Sequence, residues 1–228
     1  MDASLADQLG GVPPGTGSIA IALGANLADP AATLIAVRPL LAEALAGWFL
    51  GDSPPTQRGP TLHWSPLFRT EPVGGPAGQP AYLNGAVVME SPAWLGRCHP
   101  ESQPQPLGPP LALLEVLQAL EAQFGRQRLE PWGPRSLDLD LLWCGDACCN
   151  SSVLDLPHPR LLERSFVLAP LAAIDPNLMP PVQAGPPVQP GKPHGIPLQS
   201  CGALLGQLLP QRQEAPPERL PPQQGWPE

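Results

Sequence analysis

Trp132-Gly133-Pro134-Arg135-Ser136-Leu137-Asp138-Leu139-Asp140-Leu141-Leu142 is the stretch whose reading decides this chain. Polar and apolar residues alternate from Asp138 to Leu141, which predicts a β-strand. With a side-chain period of two, Asp138 and Asp140 share one face while Leu137, Leu139 and Leu141 share the other. Two carboxylates about 7 Å apart on one strand face repel. A divalent cation removes that penalty, and Mg²⁺ in particular is held by one or two carboxylates plus substrate phosphates. Upstream, the Gly133-Pro134 turn delivers Arg135, a fixed fork of donors suited to phosphate oxygens. The combination points to metal and phosphate chemistry. An edge strand carrying two solvated acids would show the same Asp-x-Asp spacing, and the adjoining Trp-Gly-Pro-Arg shifts the balance towards the metal site.

Working outward, three strand and four helix signals surround this run. Ser18–Leu23 reads as a buried strand followed by a Gly24-Ala25-Asn26 turn. Asp29 and Pro30 form a helix start, carried by apolar spacing towards Leu45, with Pro39 expected to kink or interrupt it. Leu62–Thr70 is a second strand, made irregular by Pro66, and Tyr82–Glu90 a third beyond the glycine-rich loop 71–81. Leu111, Leu114, Leu117, Leu120 and Phe124 recur at three- and four-residue steps, a helix face ended by Gly125. The acidic strand then runs to about Trp143, and helical stretches follow near Leu161–Ala173 and Leu198–Leu209. Strand, helix, strand, strand, helix, strand is the βαββαβ order of a ferredoxin-like α+β fold, a central, mostly antiparallel sheet flanked by helices.

Composition bounds the rest. The 228 residues suffice for one well-buried domain, expected over 18–209. The 36 prolines are uneven: five fall in 100–110, thirteen in 180–228, and none between Ser136 and Ser152. Insertions are therefore expected near 47–60 and 97–110, a loose N-terminus over 1–17, and a disordered tail over 210–228. The net charge of −8 argues against nucleic acid or an anionic membrane as partner. Arg126, Arg128, Arg135, Arg160 and Arg164, five of eleven arginines, lie within 39 residues around the acidic pair. That clustering suits a small polyphosphate better than surface pairing with Glu130, Asp146 and Glu163. The five cysteines lack paired metal-ligand spacing, with Cys144 and one of Cys148 or Cys149 expected to be buried. No secretory signal pattern or membrane-length stretch is read, so a cytoplasmic monomer is expected. No Gly-x-x-x-x-Gly-Lys-Ser/Thr occurs, so arginines and metal replace a P-loop.

The central run resembles the signature of the 6-hydroxymethyl-7,8-dihydropterin pyrophosphokinase family, basic-x-Gly-Pro-Arg-x-x-Asp-Leu-Asp followed by two aliphatics. Further stretches are similar in the family's order: Ile21–Leu27, Thr70–Gly74 with Tyr82-Leu83-Asn84, and Leu156–Arg160 with Arg164-Ser165-Phe166. The resemblance covers residues 18 to about 180. Pro131 stands where the family carries a charge, and the stretch from Arg126 to Trp132 is one residue shorter. The resemblance implies a central, mostly antiparallel sheet and transfer of diphosphate from the co-substrate ATP to the hydroxymethyl group of the pterin, leaving AMP. It implies Asp138 and Asp140 as ligands of two Mg²⁺ ions and Arg126 and Arg135 as catalytic arginines. Gln118, Glu121, Trp132, His158 and Arg164 take the nucleotide side, Trp132 doubling as a lid residue. Thr70, Val73, Tyr82, Asn84 and Phe166 take the pterin. Residue chemistry agrees in part: a flat ring needs aromatic faces, which Tyr82 and Phe166 offer, and Asn84 is an amide inside an apolar strand. Tyr82 and Phe166 as core residues, His158 as a loop residue between prolines, and Gln118 and Glu121 as a solvated helix face remain open. So do a nucleotide-sugar transferase, which also uses Asp-x-Asp, and a non-catalytic pterin- or nucleotide-binding module. Many relatives are fused to a large barrel, which the 48 residues after Pro180 are too few to encode, so a monofunctional chain is expected.

Overall fold

The computed structural model describes residues 18–50, 59–90, 108–126, 132–145, 147–181, 199–212 and 215–227. The expected loose N-terminus over 1–17, most of both insertions, Arg128 and Pro131 lie outside them. Strand β1 (Ser18–Ala25) leads to α1 (Pro30–Leu50), then β2 (Thr61–Trp64), β3 (Phe68–Thr70) and β4 (Tyr82–Glu90). Helix α2 (Gly108–Gln123), β5 (Asp138–Cys144), the short pair β6 (Cys149–Asn150) and β7 (Asp155–Leu156), and α3 (Ser165–Ile174) follow. Helix α4 (Cys201–Gln211) and β8 (Glu218–Arg219) complete the order.

The main sheet runs β5-β1-β4-β3-β8, with β2 also paired to β4, and every pairing is antiparallel. Its two faces bury different layers. Ile19, Ile21, Leu23 and Ala25 of β1, with Leu139 and Leu141 of β5, join Leu34, Val37, Leu41 and Leu45 of α1 and Leu113 and Leu117 of α2. Ala20, Ala86, Val88 and Trp143 join α3 and Cys201 of α4 on the other side. Ile21 pairs with Leu141 but Ala20 with Trp143, so Leu142 is the extra residue of a β-bulge. The bulge lets Leu142 and Trp143 both enter the α3–α4 layer. It also separates the apolar end of β5 from the end carrying the two acids.

Helix α1 starts as its sequence dictates: Asp29 Oδ1 accepts from Ala32 N at 3.0 Å. Its buried residues step by three and four, one apolar stripe. Pro39 lies inside the helix without interrupting it, and the helix runs to Leu50, into the segment expected to be loop. Pro39 faces outward, where its missing N–H and ring are tolerated while the buried stripe holds the helix on the sheet. At 21 residues α1 is also long and apolar enough to cross a bilayer, contrary to expectation. Its apolar stripe packs instead on β1 and α2. Gly125, at φ 74°, ends α2 as expected.

The irregular second strand is two strands, β2 and β3, broken at Ser65-Pro66-Leu67, where Pro66 removes a ladder donor. Cys144 and Cys149 are buried and Cys148 is exposed. The tail corrects the expectation of disorder. Residues 215–227 are ordered, β8 pairs with β3, and Trp226 is buried. A tail rich in Pro, Gln and Glu orders because one large indole carries the burial that the remaining residues lack.

Because Pro39 is exposed and mid-helix, Pro39→Ala is expected to raise unfolding stability by about 1–3 kcal/mol, read by denaturant titration. An unchanged midpoint would mean that the helix is not under the expected strain.

Candidate active site

Cross-strand pairing places the two acids. Asp140 pairs with Ala22, which pairs with Ala86; Asp138 pairs with Gly24, which pairs with Asn84, itself opposite Phe68. Directly opposed residues share a face, so Asp138, Asp140, Gly24 and Asn84 lie on the α3–α4 side of the sheet. The middle of this floor is kept low by Ala22 and Gly24. A Cβ on Gly24 would stand 3.1 Å from Asn84 Oδ1 and 3.9 Å from the Asp138 Cβ.

Three arginines converge on the acids. Asp138 is met by Arg126 at 2.5 Å and by Arg135 at 2.6 Å, and Asp140 by Arg164 at 3.5 Å. The two acids still disfavour each other. Asp140 is pushed up to about 6, first by desolvation in the cleft wall and then by the charge of Asp138, against the pull of Arg164. Arg164 also lies over the ring of Phe166, 5.5 Å from its centroid.

Two cavities meet at Asp140 and His158, which line both. One, about 190 Å³, is lined by Thr70, Val73, Tyr82, Asn84, Trp132, Arg135, Asp138, Arg164 and Phe166. The other, about 310 Å³, is lined by Gln118, Glu121 and Arg126, with apolar Leu114, Leu141, Val153 and Leu154. The structure thus places every site residue that the resemblance implied along one or other of two cavities that share Asp140 and His158.

Several side chains do work that the sequence did not disclose. Glu121 is not on a solvated helix face. It is buried, its Oε1 accepts from Leu139 N at 2.8 Å on the open edge of β5, and it pairs with Arg126. One carboxylate therefore closes the strand edge and aims an arginine at the acids. Gln118 remains exposed. The amide of Asn84 is partly satisfied within the protein: Nδ2 donates to Thr70 Oγ1 at 2.7 Å. Tyr82 is not an ordinary core ring; its hydroxyl donates to Gly133 O at 3.2 Å, joining β4 to the arginine loop. His158 is held by its own turn, with Nδ1 accepting from Arg160 N at 3.1 Å. Burial, then Arg164, lowers it to about 4, so it is neutral at pH 7.

Asn26, the last residue of the Gly24-Ala25-Asn26 turn, ties three segments together. Its Oδ1 accepts from Arg135 N at 2.8 Å, its own N donates to Arg135 O at 3.1 Å, and Nδ2 donates to Pro80 O at 3.1 Å. It fastens the Gly133-Pro134-Arg135 turn and the end of the 71–81 loop to the tip of β1. Gln79 adds a second tie, donating to Trp132 O at 3.0 Å and Gly74 O at 3.3 Å. Gly75, at φ 76°, permits that approach, since a Cβ there would lie 2.3 Å from Trp132 O. Trp132 itself takes the left-handed φ of 56° and leaves 59% of its surface exposed at the cavity mouth. The signals for Asn26 are an amide directly after a buried strand and its place in the Ile21–Leu27 stretch.

The donor set fits a hard cation. Two carboxylates face one cleft, and no cluster of three or more His, Cys, Asp or Glu cages a metal among the described residues. An ion held here takes its remaining ligands from phosphate and water, the habit of Mg²⁺. Acids suited to a cation, arginines suited to anionic oxygens and two adjoining cavities together have the chemistry to hold a small polyphosphate.

Comparison with known proteins gives the same direction. The family profile of 7,8-dihydro-6-hydroxymethylpterin-pyrophosphokinase (HPPK) matches residues 20–176. The chain is 42% identical over 117 residues to a 2-amino-4-hydroxy-6-hydroxymethyldihydropteridine pyrophosphokinase of Synechocystis, covering 51% of each. It is 35% identical over 161 residues to the protein of that name from Pseudomonas aeruginosa, covering 71% of this chain and 82% of that one. So it spans about half the length of the first relative and most of the second. A structure of Plasmodium falciparum HPPK-DHPS superposes at a TM-score of 0.47 and 14% identity, over 87% of this chain and 44% of that one, too loosely to carry weight. This chain belongs to the 7,8-dihydro-6-hydroxymethylpterin-pyrophosphokinase family.

His158 binds its proton more weakly folded than free, where its value is about 6.5. Between about 6.5 and 4 the unfolded chain therefore takes up the extra proton, and stability falls as pH falls through that window. His158→Gln is expected to flatten the slope of stability against pH there by up to one proton. An unaltered slope would show that the imidazole is not held neutral.

Proposed function

We propose that this chain transfers the terminal diphosphate of ATP to the hydroxymethyl oxygen of 6-hydroxymethyl-7,8-dihydropterin in folate biosynthesis, releasing AMP. The observation that carries the proposal is the Asp138–Asp140 pair, ringed by Arg126, Arg135 and Arg164 where the two cavities meet. The cavity walled by Tyr82, Asn84 and Phe166 takes the pterin: flat ring against aromatic faces, polar edge toward Asn84 and backbone groups. The cavity bordered by Gln118, Glu121 and the apolar Leu114 and Val153 takes the nucleotide.

Transfer of a diphosphate requires the pterin hydroxyl oxygen to form a bond to the β-phosphorus and release its proton, while the bond from that phosphorus to the oxygen of AMP breaks. Such reactions are catalysed mainly by positioning and charge neutralisation. Asp138 and Asp140 would hold two Mg²⁺ ions, which neutralise the triphosphate and polarise the attacking hydroxyl. As their carboxylates turn to that task, Arg126 and Arg135 exchange a carboxylate partner for phosphate oxygens, and Arg164 is similarly placed beside Asp140. Neutral His158 offers Nε2 to a phosphate oxygen without adding charge. Trp132 covers the cleft and excludes water, which protects ATP from hydrolysis.

Strand order β5-β1-β4-β3 with α1 and α2 on one face supports the ferredoxin-like reading. The net charge of −8 supports a monomer acting on small molecules, without nucleic acid or an anionic membrane as partner.

The test is AMP formation from ATP, with strict dependence on hydroxymethyldihydropterin and Mg²⁺. Asp138→Ala and Asp140→Ala are each expected to lower kcat by about 10³-fold or more, the scale of losing a main electrostatic contact. Pterin-independent release of ADP would contradict the assignment, as would full turnover in either variant.

A further inference from the structure

Residues 215–227 have no part in the reaction as described, yet they are docked closely. Arg219 and Glu218 pair with Phe68 and Arg69, and Leu220 N donates to Leu67 O at 2.8 Å. Six residues on, the Trp226 indole donates to Ser65 O at 2.7 Å and meets the Trp64 ring edge-on, 5.5 Å between centroids. It lies over Gly85, where a Cβ would come within 3.2 Å of the indole. Arg38 Nε holds Gly225 O at 3.2 Å, fastening the segment to α1.

These contacts concentrate on the break between β2 and β3. There Ser65 substitutes for regular ladder geometry, its N donating to Ala86 O and its Oγ accepting from Ala86 N, each at 2.9 Å. The break sets the register of the three-residue β3, which places Thr70 Oγ1 on Asn84 Nδ2. The chain then continues directly into Glu71–Gly74, one wall of the smaller cavity. So short a strand has little hold of its own, and without β8 it would be a bare sheet edge. The acids, α2 and Arg164 lie on other elements.

We infer that Trp226 is a positioning residue for the pterin half of the site: the C-terminal strap fixes the β2–β3 break and, through it, the Thr70–Asn84 pair and the 71–74 wall. The inference rests on the pterin reading of that cavity. Trp226 touches neither substrate, so its effect is confined to the geometry that β3 inherits.

The experiment uses the full chain and its Trp226→Ala and Trp226→Phe variants, at a temperature where circular dichroism shows each to be folded. AMP formation is followed with the pterin varied at saturating Mg-ATP, and the reverse. Trp226→Ala is expected to raise the pterin KM about tenfold or more, with the KM for ATP and kcat changed by less than about threefold. Trp226→Phe keeps the ring over Gly85 but loses the donation to Ser65, and is expected to fall between. A folded Trp226→Ala with unchanged pterin KM, or with both KM values shifted alike, overturns the inference. Should Trp226→Ala fail to fold at any temperature, Trp226→Phe decides: a selective rise in pterin KM supports the role and none removes it. An unsubstituted chain that forms no AMP overturns the pterin reading and this inference with it; an active one with unshifted variants overturns this inference alone.

Discussion

Two like charges on one face of one strand are the constraint to which the rest of the site answers. Asp138 and Asp140 cannot be moved apart, because Leu139 and Leu141 between and beyond them are buried against α1 and α2. Nor can a one-residue slip separate them from their neighbours, since slipping would turn the leucines into the cleft. The repulsion is met by three arginines, drawn from the end of α2, the Gly133–Arg135 turn and the start of α3. Each arginine is in turn aimed by something else: Arg126 by Glu121, the backbone of Arg135 by Asn26, and Arg164 beside Phe166.

This arrangement couples fold to chemistry. Carboxylates and guanidinium groups neutralise one another across the cleft, so neither carries an uncompensated charge. A substrate bearing its own cations and anions can replace both halves of that network together. The bulge at Leu142 confines the arrangement to one end of β5, leaving the other end free for Trp143 to bury with its indole on Ser18. Gly24 and Ala22, paired with the acids across β1 and β5, keep the floor of the cleft low.

Much of the fold was legible because its elements announce themselves locally. The alternation at Asp138–Leu141, the Asp29-Pro30 start and the Gly125 stop are each decided within a few residues. Pro39 misled, because a local breaker was overruled by a buried stripe of four residues beneath it. The tail misled in the opposite sense: composition describes an average, and Trp226 alone finds a slot between Trp64 and Gly85. In the site, acids and arginines were legible as chemistry. Asn26, Gln79 and the edge-closing role of Glu121 were not, because their partners are backbone groups brought close only by folding. A hydrogen bond to a peptide group leaves no residue pattern in the sequence.

The most direct test is a crystal structure with a non-hydrolysable ATP analogue and Mn²⁺ in place of Mg²⁺, located by anomalous scattering. The account requires metal density between the carboxylates of Asp138 and Asp140, with Arg126 and Arg135 turned from Asp138 onto phosphate oxygens. Bound nucleotide with no metal at those carboxylates, and both arginines still paired to Asp138, would contradict it.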